Sequence, residues 1–242
     1  MDAALLLLAD SRLPAGGHAH SGGLETAAAT GVVRDLATLA AFLHGRLATT
    51  GLVTAGLAAA ACAYAREYAA RVRPDAGAGT PSTGASPGDL ADWAGLDAEA
   101  DARTPSPAQR RASRAQGRAL LRVARATWPG PVLETLAAAS GGPHHPVALG
   151  AVVAAAGGAP ERAAQIAAYG SVTGPASAAV RLLGLDPLGV HRVLAGLAGR
   201  IDAVAEEAAE AVRAGDLPAA SAPALDVFAE LHQQAELRLF ES

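Results

Sequence analysis

Lysine is missing altogether from this 242-residue chain, cysteine occurs once, and aromatic side chains make up only 3%. All 19 basic residues are arginine, a compositional bias, like the alanine excess, rather than a mechanistic signal. A lone Cys62 excludes an intrachain disulfide and a cysteine-based zinc cluster. Its place in an alanine run predicts a buried, inert thiol. The net charge is −4 and the isoelectric point near 6.0, which argues against broad nucleic-acid binding. The first residues carry no basic run and only a short apolar stretch, so no secretory signal is expected and the protein is placed in the cytoplasm. Between Arg46 and Arg66 lie 19 uncharged residues. They are mostly Ala, Gly and Thr, with few of the side chains that drive membrane insertion, so a buried helix is expected there and no membrane partner.

Alanine supplies 65 residues and combines high helix propensity with little preference for strands. The predicted fold is all-α, a single-domain bundle of about 8–10 helices spanning residues 1–242. Methyl groups remove little area from water, so the core must lean on leucine and valine. Helices are predicted over 2–11, from a Ser21 cap to about Thr30, from an Asp35 cap over Leu36 to about Arg73, and over 89–102, 108–127 and 132–139. Further helices are predicted over 147–156, 160–169, 175–184 and 187–213. A final amphipathic helix is predicted to align Leu225, Phe228, Leu231, Ala235 and Leu239. Gly45, Gly51 and Gly56 in the long helix would admit a close neighbour. Residues 74–88 are rich in Gly, Pro, Ser, Thr and Ala, and with the breaks at Pro105 and Pro107 they mark 74–107 as a low-complexity insertion.

The segment from Leu13 to Glu25, LPAGGHAHSGGLE, does not suit a helix: it holds four glycines, a proline, two histidines and a serine. Such a connection reads as a shaped surface rather than a spacer. His18 with His20, and His144 with His145, are the only histidine concentrations. A stable metal site needs three or four ligands, and no local Cys, His or Asp completes either pair. They read as hydrogen-bonding or partner-contact residues, with a transient contact to a borderline metal ion at His18, His20 and Glu25 left open. Glu25 suits a first helical turn, where the dipole favours a carboxylate; its alternative is a carboxylate lining a cation path. Arg110, Arg111, Arg114, Arg118, Arg122 and Arg125 recur about once per helical turn and form a solvated or partner-facing stripe. Arg181, alone in a small-residue helix, needs a partner or a functional surface.

Five blocks in order carry a family resemblance. Leu5–Leu8 followed by Pro14, Gly16, Gly17, His18, Ser21, Gly23, Leu24 and Glu25 is the first. Arg111, Ala112, Ser113, Gln116, Gly117, Leu120 and Leu121 are the second, and His145, Pro146, Val147 and Gly150 the third, with Leu149 where an aromatic residue is usual. Ser177 to Leu182 with Gly184 and Pro187 follow, where Val190 precedes His191. The last is Pro223, Leu225, Asp226, His232, Glu236 and Arg238 to Ser242, with Gln233 after His232. Together they resemble the UreF family of urease accessory proteins over almost the whole chain outside 74–107.

The resemblance implies a non-enzymatic maturation factor that dimerises, binds UreD (UreH in some bacteria), recruits the GTPase UreG and enables GTP-dependent nickel insertion into apo-urease. It implies no catalytic residue and no tightly bound cofactor or metal, nickel being handled in the assembled complex. The expected partner-binding residues are Pro14, Gly16, Gly17, His20, Ser21, Gly23, Leu24, Glu25, His145, Pro146, Ser177, Arg181, His232, Arg238, Leu239 and Phe240. Two alternatives stand beside it: a small metal-dependent enzyme built on His18, His20 and His145, and a helical scaffold unrelated to urease.

Overall fold

Short polar side chains and prolines start most of the helices. Asp35 and Thr38 form a reciprocal capping box, Ser106 accepts from the Gln109 N–H, and Asp186 accepts from those of Leu188 and Gly189. Pro107, Pro146, Pro160, Pro187 and Pro223 occupy first turns, where a missing N–H is no loss. The computed structural model describes residues 3–10, 12–72, 92–139 and 141–241, the side chain of His18 excepted. Its helices are α1 (Ala3–Ala9), α2 (Leu24–Ala29), α3 (Leu36–Arg46), α4 (Leu52–Val72), α5 (Trp93–Ala102) and α6 (Pro107–Thr127). They continue with α7 (Pro131–Ala139), α8 (His145–Ala155), α9 (Pro160–Leu183), α10 (Pro187–Arg213) and α11 (Pro223–Gln234). A π-turn, Leu47–Gly51, joins α3 to α4 without a break. The fold is all-α, and among the described residues there is no strand.

The centre is α4, packed against α8, α9 and α10. Ala55, Ala58, Ala59, Ala61 and Ala65 of α4 are fully buried, as are Ala148 and Ala151 of α8 and Ala163, Ala164 and Ala168 of α9. Small side chains bring these axes close together. At Gly150 a Cβ would lie 2.3 Å from the Ala58 carbonyl oxygen and 2.7 Å from the Cys62 nitrogen, so only glycine fits. Cys62 is buried there, and burial pushes its thiol up to about 12, which makes it inert as expected. Of the other glycines singled out, Gly51 faces Ser171 and Gly56 faces Pro218, whereas Gly45 meets nothing. The run Leu36–Val72 is long and apolar enough to cross a membrane, yet 61% of its most apolar window is buried inside the fold.

Three expectations need correction. Residues 160–169 and 175–184 are not two helices: α9 runs unbroken through Pro175. A mid-helix proline removes the N–H that would reach the carbonyl four residues earlier, here that of Ser171. The Arg46 Nε–H donates to that oxygen at 2.8 Å, so the carbonyl keeps a partner and the helix continues. The C-terminal helix stops at Gln234 and does not carry Ala235 and Leu239 as predicted. The N–H groups of Leu239 and Phe240 bond to Glu25, and that of Glu241 to the Ala19 carbonyl, instead of to the preceding turn. Finally, part of 74–107 is built into the core. Residues 73–91 lie outside the described residues, but Trp93 is buried edge-on against Tyr64 with ring centroids 4.7 Å apart, and its indole N–H reaches Thr135 at 3.1 Å.

Replacing Arg46 by methionine strands the Ser171 and Gly22 carbonyls. Denaturant unfolding is expected to show a loss of about 2–4 kcal/mol, from about 1–3 kcal/mol for each unpaired buried group. In a Pro175→Ala background the same change is expected to cost about 1 kcal/mol less, because the restored amide takes the Ser171 oxygen.

Candidate functional site

The glycine-rich loop is held from behind by Arg46. Its Nη1 donates to the Gly22 carbonyl at 2.7 Å while Nε holds Ser171. Burial lowers the guanidinium to about 10, so it stays charged at neutral pH. Gly22 has φ +62°, and a Cβ there would lie 3.0 Å from the guanidinium carbon and 3.2 Å from Pro175. Gly23, at φ +89°, is the residue before α2, but the capping oxygen comes from fully buried Ser21, whose hydroxyl accepts the Glu25 N–H at 3.2 Å. The expected Ser21 cap is therefore present, displaced by two residues. Leu24 is completely buried, and Thr26 donates to the Phe228 carbonyl at 3.1 Å, fastening α2 to α11.

This geometry aims Glu25 at the C-terminal tail. One carboxylate oxygen accepts the Leu239 N–H at 2.7 Å; the other accepts the Phe240 N–H at 3.1 Å and lies 2.8 Å from His232 Nε2. A carboxylate only accepts, so His232 carries its hydrogen on Nε2. His232 is 3% exposed, and its Nδ1 is buried with no partner among the described residues. Glu25 sits in the first turn of α2 as expected, and its carboxylate ties the glycine-rich loop to the C-terminal tail. The Arg181 guanidinium lies 4.4 Å from the centre of the Phe240 ring, a cation–π contact, and Phe240 is buried. Glu241 donates its N–H to the Ala19 carbonyl at 2.7 Å, and its carboxylate approaches His20 at 3.8 Å.

Behind the loop sits the 143–146 turn. Ser113 Oγ accepts the His145 N–H at 3.1 Å and lies 3.0 Å from His144 Nδ1. Asp101 lies 2.9 Å from His144 Nε2, which therefore bears a hydrogen, and Asp97 accepts the His144 N–H. Arg114 joins Asp97, Asp101 and the Gly142 carbonyl. Arg114 is therefore an internal strut rather than a member of a solvated stripe. Gly117 lets the turn press onto α6, since a Cβ there would sit 2.0 Å from the Pro143 oxygen. These contacts explain why the Arg-x-Ala-Ser-x-x-Gln-Gly and His-Pro-Val blocks belong together. The surrounding protein, with some help from His20, pushes half-buried His145 down to about 4.

The structure therefore unites Gly23, Ser21, Glu25, His20, His145, Arg181, His232, Leu239 and Phe240 in one region. Pro146 is buried beside it. Ser177 and Arg238 are exposed. Pro14 instead lines a separate recess with Leu7, Leu13 and Trp128. Gly16 has φ +75° and precedes a single 3₁₀ turn, Gly17–Ala19. The side chain of His18 lies outside the described residues. Among the described residues no three His, Cys, Asp or Glu side chains are grouped to hold a metal. Sequence reasoning missed Arg46, Asp97 and Asp101. Only Arg46 left a trace, as the charge that ends α3 facing a proline-interrupted helix.

Fold and site together are those of an all-helical protein whose C-terminal tail is locked to a glycine-rich loop and the helix that follows it. Residues 33–198 match the family model described as UreF. The chain is 47% identical over 238 residues to the urease accessory protein UreF of Mycobacterium sp. (strain JLS), covering 98% of this chain and 97% of that one. It is 46% identical over 240 residues to that of Mycolicibacterium vanbaalenii, covering 99% and 98%, and 44% identical to that of Mycobacterium tuberculosis H37Rv over the same shares. This chain belongs to the UreF family.

Two outcomes follow from the geometry. In Glu25→Ala, hydrogen exchange at the Leu239 and Phe240 amides is expected to rise by about tenfold or more, the loss of a charge-assisted bond of about 1.5–3 kcal/mol, with the core helices unchanged. For His145, the unfolded chain takes up a proton below about 6.5 that the folded chain refuses until about 4. Stability is therefore expected to fall as pH drops through that window, by about 3 kcal/mol in total. His145→Gln should flatten this part of the stability curve measured by urea unfolding.

Proposed function

We propose that the protein is a non-catalytic urease maturation factor: it bridges UreD and the GTPase UreG and so enables GTP-dependent nickel insertion into apo-urease. The observation that carries this reading is the identity of 47%, over nearly the full length of both chains, with a protein named as a urease accessory protein. The geometry is in keeping with it. Glu25, Arg181 and His232 hold the tail in a bent, non-helical form that leaves Leu237 and Leu239 93% and 74% exposed. Beside them Val227 and Leu231 of α11 are also exposed. Large apolar side chains held outward on an anchored segment suit docking of another chain. The work of such a protein is binding free energy: it holds partners so that nickel passes between them without equilibrating with solvent. In this reading the protein is cytoplasmic and acts as a homodimer. It keeps no cofactor of its own, and nickel is its cargo, with His18, His20 and Glu25 as points of passage once the partners are assembled.

The test is urease activity and nickel content in a deletion strain, with and without excess nickel. Activity is expected to fall by about tenfold or more, the scale of losing a dominant contact, and to return with the wild-type gene. Full nickel occupancy in the deletion strain overturns the proposal. A Leu237→Asp, Leu239→Asp double variant is expected to remain folded and to bind purified UreD about tenfold more weakly.

A further inference from the structure

Helix α6 carries six arginines, and the five after Arg110 divide into two sets. Arg114 is consumed internally by Asp97 and Asp101, and Arg111 reaches Gln233 near the end of α11. Arg118, Arg122 and Arg125 recur at helical spacing, so they share one face. All three are exposed and line a recess of about 300 Å³ between α6, α7 and the turn that precedes α8. Leu121, Ala137 and Pro143 supply its apolar wall. Arg125 grips Glu134 through two bonds of 2.8 and 2.6 Å. Among the described residues, no carboxylate pairs with Arg118 or Arg122. The recess thus holds three guanidinium groups against one carboxylate, on a protein whose net charge is −4.

We infer that this recess is a docking site for an acidic segment of a partner protein, with Arg118 and Arg122 taking its carboxylates and Leu121, Ala137 and Pro143 taking a neighbouring apolar side chain. The inference rests on the adaptor reading above and adds the chemistry of one contact surface. Charge complementarity selects the occupant. Arg125 and Glu134 already display, at this spot, the forked pairing that arginine makes with a carboxylate. A nucleic-acid strand would call for an aromatic platform and a positive surround. The recess has no aromatic lining, and the protein as a whole is acidic. The surface is separate from the Glu25 junction, so one molecule can hold one partner at its tail and another at this recess.

The test titrates wild type, Arg122→Glu, Arg118→Glu/Arg122→Glu and Arg118→Lys/Arg122→Lys against purified UreD, UreG and apo-urease separately. The Arg122→Glu single variant leaves in place Arg118, whose side chain packs so close to Gly142 that a Cβ there would lie 2.7 Å from it, and circular dichroism reports folding. Charge reversal is expected to weaken one of the three complexes by about tenfold or more, and the lysine pair by less, because charge survives without the fork. Raising salt from about 50 to 300 mM should weaken the wild-type complex but not the reversed one. If wild type binds its partners and every variant binds them equally well, the recess inference fails and the adaptor reading stands. If wild type binds none of the three, both fail. Binding of a single-stranded RNA oligonucleotide that disappears in the reversed variant, with partner binding unchanged, overturns the inference in favour of phosphate recognition.

Discussion

Arg46 donates one N–H to the Ser171 carbonyl and another to the Gly22 carbonyl, and most of the functional region depends on that pair of bonds. The first partner exists because Pro175 has no N–H to offer the turn before it. The second fixes a loop whose glycines have no side chains with which to anchor themselves. A buried cation is expensive to hold without compensation, but carbonyl oxygens supply it here at the end of α3, where the chain bends into a π-turn. One side chain thereby repairs α9 and sets the position of the loop that packs on it.

From that fixed loop the order passes to the far end of the chain. Ser21 caps the first turn of α2, α2 aims Glu25, and the Glu25 carboxylate gathers His232 with the Leu239 and Phe240 amides. Arg181 then covers the Phe240 ring. Residues 239–241 exchange helical hydrogen bonds for bonds to one carboxylate and one loop carbonyl. The exchange keeps Phe240 in the core while turning Leu237 and Leu239 outward, which is the arrangement a docking segment needs.

A second polar network performs the same task at the start of α8. Ser113, Asp97, Asp101 and Arg114 surround His144 and bond the His144 ring, the His144 and His145 N–H groups and the Gly142 carbonyl. Between the two networks lies a core of alanine and glycine contacts, where α4 and α8 approach closely enough to exclude any side chain at Gly150. Such a core offers little area per residue. Polar networks that specify geometry matter more in it than they would among large side chains.

Sequence alone determined the all-α class, the starts of the long helices and the irregular backbone that begins at Leu13, because helix propensity, caps and glycine content act over a few neighbouring residues. The block resemblance likewise singled out Glu25, Arg181, His232 and Phe240. Tertiary structure alone decided that these residues meet. It decided as well that Pro175 does not break α9, that the last helix yields to a tail after Gln234, and that Arg114 is internal while Arg118 and Arg122 face a recess. Each of these outcomes depends on a partner more than ten residues away in sequence. Local pattern carries no record of which distant carbonyl or carboxylate will arrive to satisfy a buried group.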